Sequence, residues 1–288
     1  MMKHEEPIMV SIFCITYNHK NFIEKAIEGF LMQQCNFNIE IIIGDDCSND
    51  GTTQIIDSYA SKYPQIKRLI ADENMGPIKN MIRVALAAKG KYVATCDGDD
   101  YWTDPLKLQK QVDFLENNPD YVICTNYTKE VNSDDTEITY MDFNPKPLSY
   151  SFNELMVNKQ YQTKTVSLIY RNSDEIRMLY SQDWFMQVNA CDKFLKLYST
   201  WKTGKKIYVI PETMCSYRKH GGGIWSPIAR IPLKKMRLSD FKISIRVFNY
   251  TPFQKVKLLY FYLKEYFLFE ARHHRFIQAI STIKTIVN

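Results

Sequence analysis

The sequence predicts an α/β fold: a mainly parallel sheet flanked by helices, followed by a basic helical extension. Three observations carry the prediction. Short apolar runs alternate with segments of helical periodicity at the length of βαβ units. Successive apolar runs stop at polar or acidic residues, as strands do at the sheet edge where ligands bind. The charge balance also reverses near residue 227: residues 1–226 hold 25 Lys+Arg and 29 Asp+Glu, whereas residues 227–288 hold 12 and 3.

The first apolar run, Val10 to Ile15, enters the polar group Thr16-Tyr17-Asn18-His19. Residues 21–34 have helical spacing through Phe22, Ala26 and Phe30. A second strand, Ile39 to Ile43, ends in Asp45-Asp46-Cys47-Ser48-Asn49-Asp50-Gly51-Thr52, which caps a helix over Thr53–Lys62. Ile66–Ala71 reads as a strand and Ile78–Ala88 as a helix. Tyr92–Cys96 is a strand that stops at Asp97-Gly98-Asp99-Asp100. A helix follows over Leu106–Asn117 and a strand over Tyr121–Thr125, with an irregular loop from Lys129 to Pro147. Residues 161–170 read as a strand, 183–198 as one helix, and Lys206–Ile210 as a last short strand before a loop carrying His220-Gly221-Gly222-Gly223. This places one domain over residues 1–226 and the extension over 227–288.

The chain has 288 residues, 45% hydrophobic and 24% charged, with 10 Gly and 11 Pro. That composition supports a buried core and excludes disordered, collagen-like and repeat architectures. Seven Cys, with no Cys-x-x-Cys pair and several inside apolar runs, point to free thiols and a reducing compartment. Met1–Glu6 lacks the order of a signal peptide.

The acidic group is the chemical centre of the sequence. Asp97, Asp99 and Asp100 repel one another unless a cation sits among them, and hard oxygen ligands at this spacing suit Mg²⁺ or Mn²⁺. Alone, such a group reads more readily as a solvated acidic turn. The apolar strand before it and the matching Asp45-Asp46 one strand earlier argue for a site.

Four segments together, Val10 to Asn18, Ile41 to Thr52, Glu73-Asn74-Met75-Gly76 and Asp97 to Trp102, resemble the family 2 glycosyltransferases of GT-A fold. These are inverting enzymes that use nucleotide sugars. The resemblance covers about residues 9–226 and implies roles position by position. Thr16 and Asp46 would hold the nucleotide base, with Asp46 accepting a uracil imide N–H, and Tyr17 and Asn18 would line the same pocket. Asp97 and Asp99 form the family's Asp-x-Asp signature toward ribose and metal, and either Asp99 or Asp100 is the inner ligand. Asp183 would be the base for the acceptor hydroxyl, although Gln182 stands where many relatives carry Glu; the competing reading is an N-cap. His220 would complete the metal shell or touch the diphosphate, under a loop hinged by Gly221–Gly223 and anchored by Trp225. Arg218 and Lys219 read equally as diphosphate partners or solvated cations. His4, His19, His273 and His274 read as surface residues, Lys79 and Arg83 as solvated helix charges, and Trp102 and Trp184 as packing.

In the tail, the longest stretch free of charge and amide is Leu258–Leu263, too short to span a bilayer. Basic residues interleaved with aromatics suit an anionic membrane surface, with packing against the body or a second copy (a homo-oligomer) as the alternative. No nucleic-acid motif accompanies the charge. The sequence therefore predicts a cytoplasmic enzyme, peripheral at the inner face of the membrane. It would move a sugar, UDP-linked, to a glycan or lipid-linked acceptor in envelope polysaccharide synthesis. The reading from another class is a membrane-surface scaffold with a degenerate nucleotide pocket. A dehalogenase-type phosphohydrolase would need a small hydroxyl residue after its acids, where Tyr101 stands. A nucleotidyltransferase would need a glycine-rich loop after the first strand.

Overall fold

The computed structural model describes residues 7–138, 144–223 and 228–288. The chain opens with β1 (Val10–Thr16), α1 (Ile23–Leu31), β2 (Ile39–Asp45), α2 (Thr52–Lys62), β3 (Ile66–Ile70), α3 (Pro77–Ala87) and β4 (Tyr92–Thr95). The short β5 (Tyr101–Trp102), α4 (Lys107–Asn117), β6 (Tyr121–Val131) and β7 (Leu148–Tyr150) come next. Then follow α5 (Phe152–Leu155), β8 (Ile169–Arg171), α6 (Asp174–Arg177), α7 (Cys191–Thr203) and β9 (Lys206–Arg218). The extension forms α8 (Arg230–Val247), α9 (Pro252–Tyr262), α10 (Leu268–Arg272) and α11 (Phe276–Val287), a π-helical turn joining α9 to α10.

The sheet order is β3-β2-β1-β4-β8-β6-β9-β5, with β7 on β9. The first four strands are mutually parallel, and β8 enters antiparallel between β4 and β6. All four parallel strands therefore aim their carboxyl ends at one edge. Alternation along β1 divides the core. Val10, Ile12 and Cys14 pack under α1, α2 and α4, while Phe13 packs on the other face with α3, α7 and the apolar side of α8. Leu238 and Phe241 of α8, with Leu258 and Tyr262 of α9, are buried in that second cluster.

The structure corrects four expected boundaries. β6 continues to Val131, because β9 runs beside it to Arg218, past Pro211, with the register slips near Tyr127 absorbing the bend. Lys129 to Val131 and Ser216 to Arg218 are thus strand and not loop. Of the strand expected over 161–170, only Ile169–Tyr170 pairs, since Thr165–Ser167 forms a 3₁₀ turn. The helix expected over 183–198 is two pieces: a 3₁₀ turn at Asp183–Gln187, then an extended Val188 before α7 starts at Cys191. Its start is fixed from outside, by Asp240 on α8. That carboxylate is buried and accepts the Asn189 amide (2.7 Å) and the Ala190 amide (3.0 Å), the two residues that lead into the helix. All seven cysteines are unpaired.

Candidate functional site

At the carboxyl end of β2, Asp45 is consumed locally, accepting from the Ser48 amide and hydroxyl and from the Thr53 hydroxyl. Asp46 is buried too, and its two oxygens accept the backbone amides of Met75 and Gly76, both at 2.9 Å. That contact pins the loop before α3 against β2. Asn18 sits in left-handed backbone (φ 55°), donating its amide to Ser48 Oγ and accepting from the Asn49 amide. Thr16, Tyr17, Asn18 and Asp46 therefore converge at one edge, Tyr17 exposed and Thr16 buried with an unpartnered hydroxyl.

Gly98 lets the acidic turn close on this group. A Cβ there would lie 2.7 Å from Thr16 Oγ1 and 2.8 Å from Thr16 Cβ. Asp97, Asp99 and Asp100 each bring a carboxylate oxygen within 4.8 Å of the others; so, around the same Asp99, do His19 and His220. His220 Nε2 is 3.0 Å and His19 Nε2 3.8 Å from Asp99 Oδ2. Asp100 Oδ1 accepts the Arg218 amide at 2.7 Å, while its buried Oδ2 has no partner.

His19 corrects the surface reading made from sequence. Its ring is largely buried, edge-on to His220 at 6.0 Å, and burial lowers its pKa against the pull of Asp99. The turn at Asn18 is what brings it round. Arg218 is neither a free diphosphate partner nor a solvated cation. Buried at the end of β9, it donates to the Asp99 carbonyl (2.9 Å), pairs with Asp135 (2.7 Å) and stacks on Phe22 and Tyr101. It braces the turn that holds the acids. Lys219 pairs with Glu130 and Lys79 is exposed. Arg83 donates to the carbonyls of Asp45 and Leu69, so it is structural and not solvated. Trp102 donates its indole N–H to the Val166 carbonyl and meets Phe30 edge to face, and Trp184 packs among Phe185, Phe194 and Phe248. Trp225 lies outside the described residues.

Asp183 is exposed on its 3₁₀ turn and makes no cap. The acid that shares a cavity with Asp97 is Asp192, in the first turn of α7. That cavity, about 310 Å³, is otherwise mostly apolar, with Phe13, Ile15, Ile78 and Met81 in its walls. Asp192 and Ala190 also line a second cleft of about 410 Å³, formed with Lys193 and with Lys234 and Arg237 of α8. Asp192 Oδ2 is held at 2.9 Å by Lys196, whose buried ammonium also donates to the Thr163 carbonyl. The sequence placed one helix over 183–198 with Asp183 at its start; the structure puts Asp183 on the preceding 3₁₀ turn and Asp192 in the first turn of α7.

Residues 11–177, more than half of the chain, match the sequence profile described as Glycosyl transferase family 2. The chain belongs to this family. Among relatives of this family 2 chain, the uncharacterized protein Rv1520 of Mycobacterium tuberculosis is 37% identical over 225 residues, 75% of this chain. The matched stretch spans 60% of that relative's length. A second relative, from Escherichia coli, is named UDP-Glc:alpha-D-GlcNAc-diphosphoundecaprenol beta-1,3-glucosyltransferase WfaP. It is 29% identical over 193 residues, 67% of this chain and 74% of its own length. The crystal structure of S. aureus TarS 1-349 in complex with UDP-GlcNAc superposes with a TM-score of 0.70 at 18% identity, covering 98% of this chain and 82% of that one. The mannosyltransferase PcManGT from Pyrobaculum calidifontis, in complex with GDP-Man and Mn²⁺, gives 0.65 at 18%, covering 96% and 74%. These structures share the GT-A architecture, so the family 2 chain has the fold its sequence predicts.

Burial and mutual repulsion of the carboxylates set the electrostatics of the cluster. Burial, with Asp99 and Asp192 adding to it, pushes Asp97 up to about 8, and burial with Asp99 and Asp97 raises Asp100 as well. Burial works on Asp99 in the same direction, but the His220 hydrogen bond and the two imidazoles hold it below the usual range. A carboxyl whose folded-state pKa is raised contributes stability that is complete below its unfolded pKa and is lost as pH rises through about 8. The metal-free protein should therefore lose stability between about pH 4 and 8. Asp97→Asn, which cannot ionise, should melt higher than the parent at pH 8 in EDTA, by roughly 1–3 kcal/mol. Scanning calorimetry of both proteins across this range checks it; equal melting points at pH 8 would refute the cost assigned to Asp97.

Proposed function

We propose that the chain is an inverting glycosyltransferase that moves a sugar from a nucleotide-sugar donor, UDP-linked, to a hydroxyl of a glycan or lipid-linked acceptor in envelope polysaccharide synthesis. The observation that carries this reading is the convergence of Asp97, Asp99 and Asp100 with His19 and His220 beside Thr16, facing a cavity whose other acid is Asp192. The relatives' names support it: WfaP is named for UDP-Glc and a diphosphoundecaprenol-linked sugar, and TarS was crystallised with UDP-GlcNAc.

The residues fit a hard divalent cation. The donor set is three carboxylates with two imidazoles at Asp99, and the buried Oδ2 of Asp100 lacks any partner. Imidazole in the set favours Mn²⁺ over Mg²⁺. Asp99 and Asp100 with His220 would hold the ion, His19 standing beside them. Bound there, it would neutralise the charge that collects on a departing diphosphate. The protein's own part begins with the nucleotide. Thr16, Tyr17 and Asn18 wall its pocket, Asp97 faces the ribose, and each Asp46 oxygen keeps a lone pair beyond its backbone bond for a base N–H. Of the two candidate bases, Asp183 and Asp192, the geometry favours Asp192. It lies between the cavity shared with Asp97 and the cleft against α8, and Lys196 fixes one of its oxygens. An acceptor hydroxyl deprotonated there attacks the anomeric carbon on the face opposite the leaving diphosphate, so configuration inverts in one displacement.

Thermal melting of the full chain with UDP, GDP, CDP and dTDP, each with and without Mn²⁺, tests the reading. A rise with UDP that requires Mn²⁺ is the expected result. A GDP-specific rise would move the donor to the class bound by PcManGT, and no rise with any nucleotide would favour the degenerate scaffold.

A further inference from the structure

We propose that the outward face of α9 to α11 is a docking surface for an anionic phospholipid bilayer. The first argument is packing. On α9, Phe253, Val256 and Tyr260 stand at i, i+3 and i+7 and are 67%, 65% and 70% exposed. On α11, Ile277 and Ile280, at i and i+3, are 82% and 51% exposed, and Val287 near its end is 60% exposed. Each helix is held to the protein by a different stripe, Leu258 and Tyr262 on α9, and Ala279, Thr282 and Ile286 on α11. The two helices, which pack on each other, are therefore apolar on two sides, and among the described residues nothing covers the outer one. Scattered surface apolar residues need no explanation; neighbouring stripes of them do.

The second argument is where the acids went. Residues 227–288 contain Asp240, Glu265 and Glu270 against twelve Lys and Arg. Asp240 is buried at the start of α7. Glu270 is buried, taking the Tyr262 hydroxyl, with Lys242 at 3.5 Å, and Glu265 faces Lys234 at 3.6 Å. Lys264, Arg272 and Lys284 are exposed and, among the described residues, form no ion pair. The outside of these helices thus presents exposed cations and large apolar groups, with Asp240 and Glu270 buried and Glu265 set against Lys234, the chemistry that an anionic headgroup layer recognises. A second copy of the chain would set two such cationic faces against each other. No helix among the described residues is long and apolar enough to cross a membrane, so the face would lie along the bilayer. The proposal is independent of sugar transfer.

Sedimentation of the full chain with vesicles of phosphatidylcholine, alone or mixed with phosphatidylglycerol, tests it. The expected result is binding to the anionic vesicles that salt weakens. Binding should fall at least tenfold in Ile277→Glu/Ile280→Glu and about a hundredfold in Lys264→Gln/Arg272→Gln/Lys284→Gln. The charge variant touches exposed side chains only, so it carries the test if the apolar one does not melt cooperatively. No binding to anionic vesicles, or binding that both variants keep, overturns the proposal. So does a chain that runs at twice its mass without lipid and becomes monomeric in Ile277→Glu/Ile280→Glu.

Discussion

Asp192→Asn should lower sugar transfer by about 10³-fold, within the usual contribution of a general base, and leave the nucleotide-dependent rise in melting point in place. The substitution keeps the size of the side chain and removes its ability to take a proton. Asp192 stands between the donor-side cavity and the cleft against α8, and its Oδ2 is held by a buried lysine that cannot move far. Asp183→Asn is the matched control. That residue is exposed outside the cavity, and its variant should retain activity within about twofold, as surface substitutions do. A steady-state assay of both variants with the donor identified by thermal melting decides between them. If Asp183→Asn is the inactive one, the base is Asp183 and the loop before α7 must rearrange when acceptor binds.

Asp99→Asn should have an effect of similar size by another route. Asp99 belongs to both the carboxylate group and the imidazole group, so its loss leaves no complete donor set on either side. The expected outcome is a loss of about 10³-fold or more in transfer, equivalent to roughly 4 kcal/mol of transition-state stabilisation. The Mn²⁺-dependent part of the nucleotide-induced melting shift should vanish with it. Transfer that stays within tenfold of the parent, with the same requirement for Mn²⁺, would move the ion to Asp97 and Asp100. His220→Gln separates the two halves further, since it leaves all three carboxylates in place.

Legibility in the sequence followed distance along the chain. The strands before Thr16, Asp45 and Asp97 are apolar runs with abrupt polar ends, so both the sheet edge and the acids on it could be read directly. The same acids lie within four residues of one another, and no fold is needed to see that they meet. His19 and Asp192 were out of reach for the opposite reason. One arrives by a left-handed turn at Asn18, the other because a carboxylate 48 residues later, Asp240, sets where α7 begins. The far ends of β6 and β9 were hidden in the same way. Lys129 and Glu130 look like loop residues, but they lie on a strand, from which Glu130 binds Lys164 and Lys219.

The bond from Asp240 to the start of α7 also constrains how such chains can change. Catalytic bodies and tails are often treated as parts that recombination can trade. Here a grafted tail would have to bring an acid at this one position of its first helix, or leave two half-buried amides unanswered beside the residue proposed as base. Variation in the tail is thus free on its outer face and tethered on its inner one, so a lineage can change that outer surface quickly only while that single carboxylate stays.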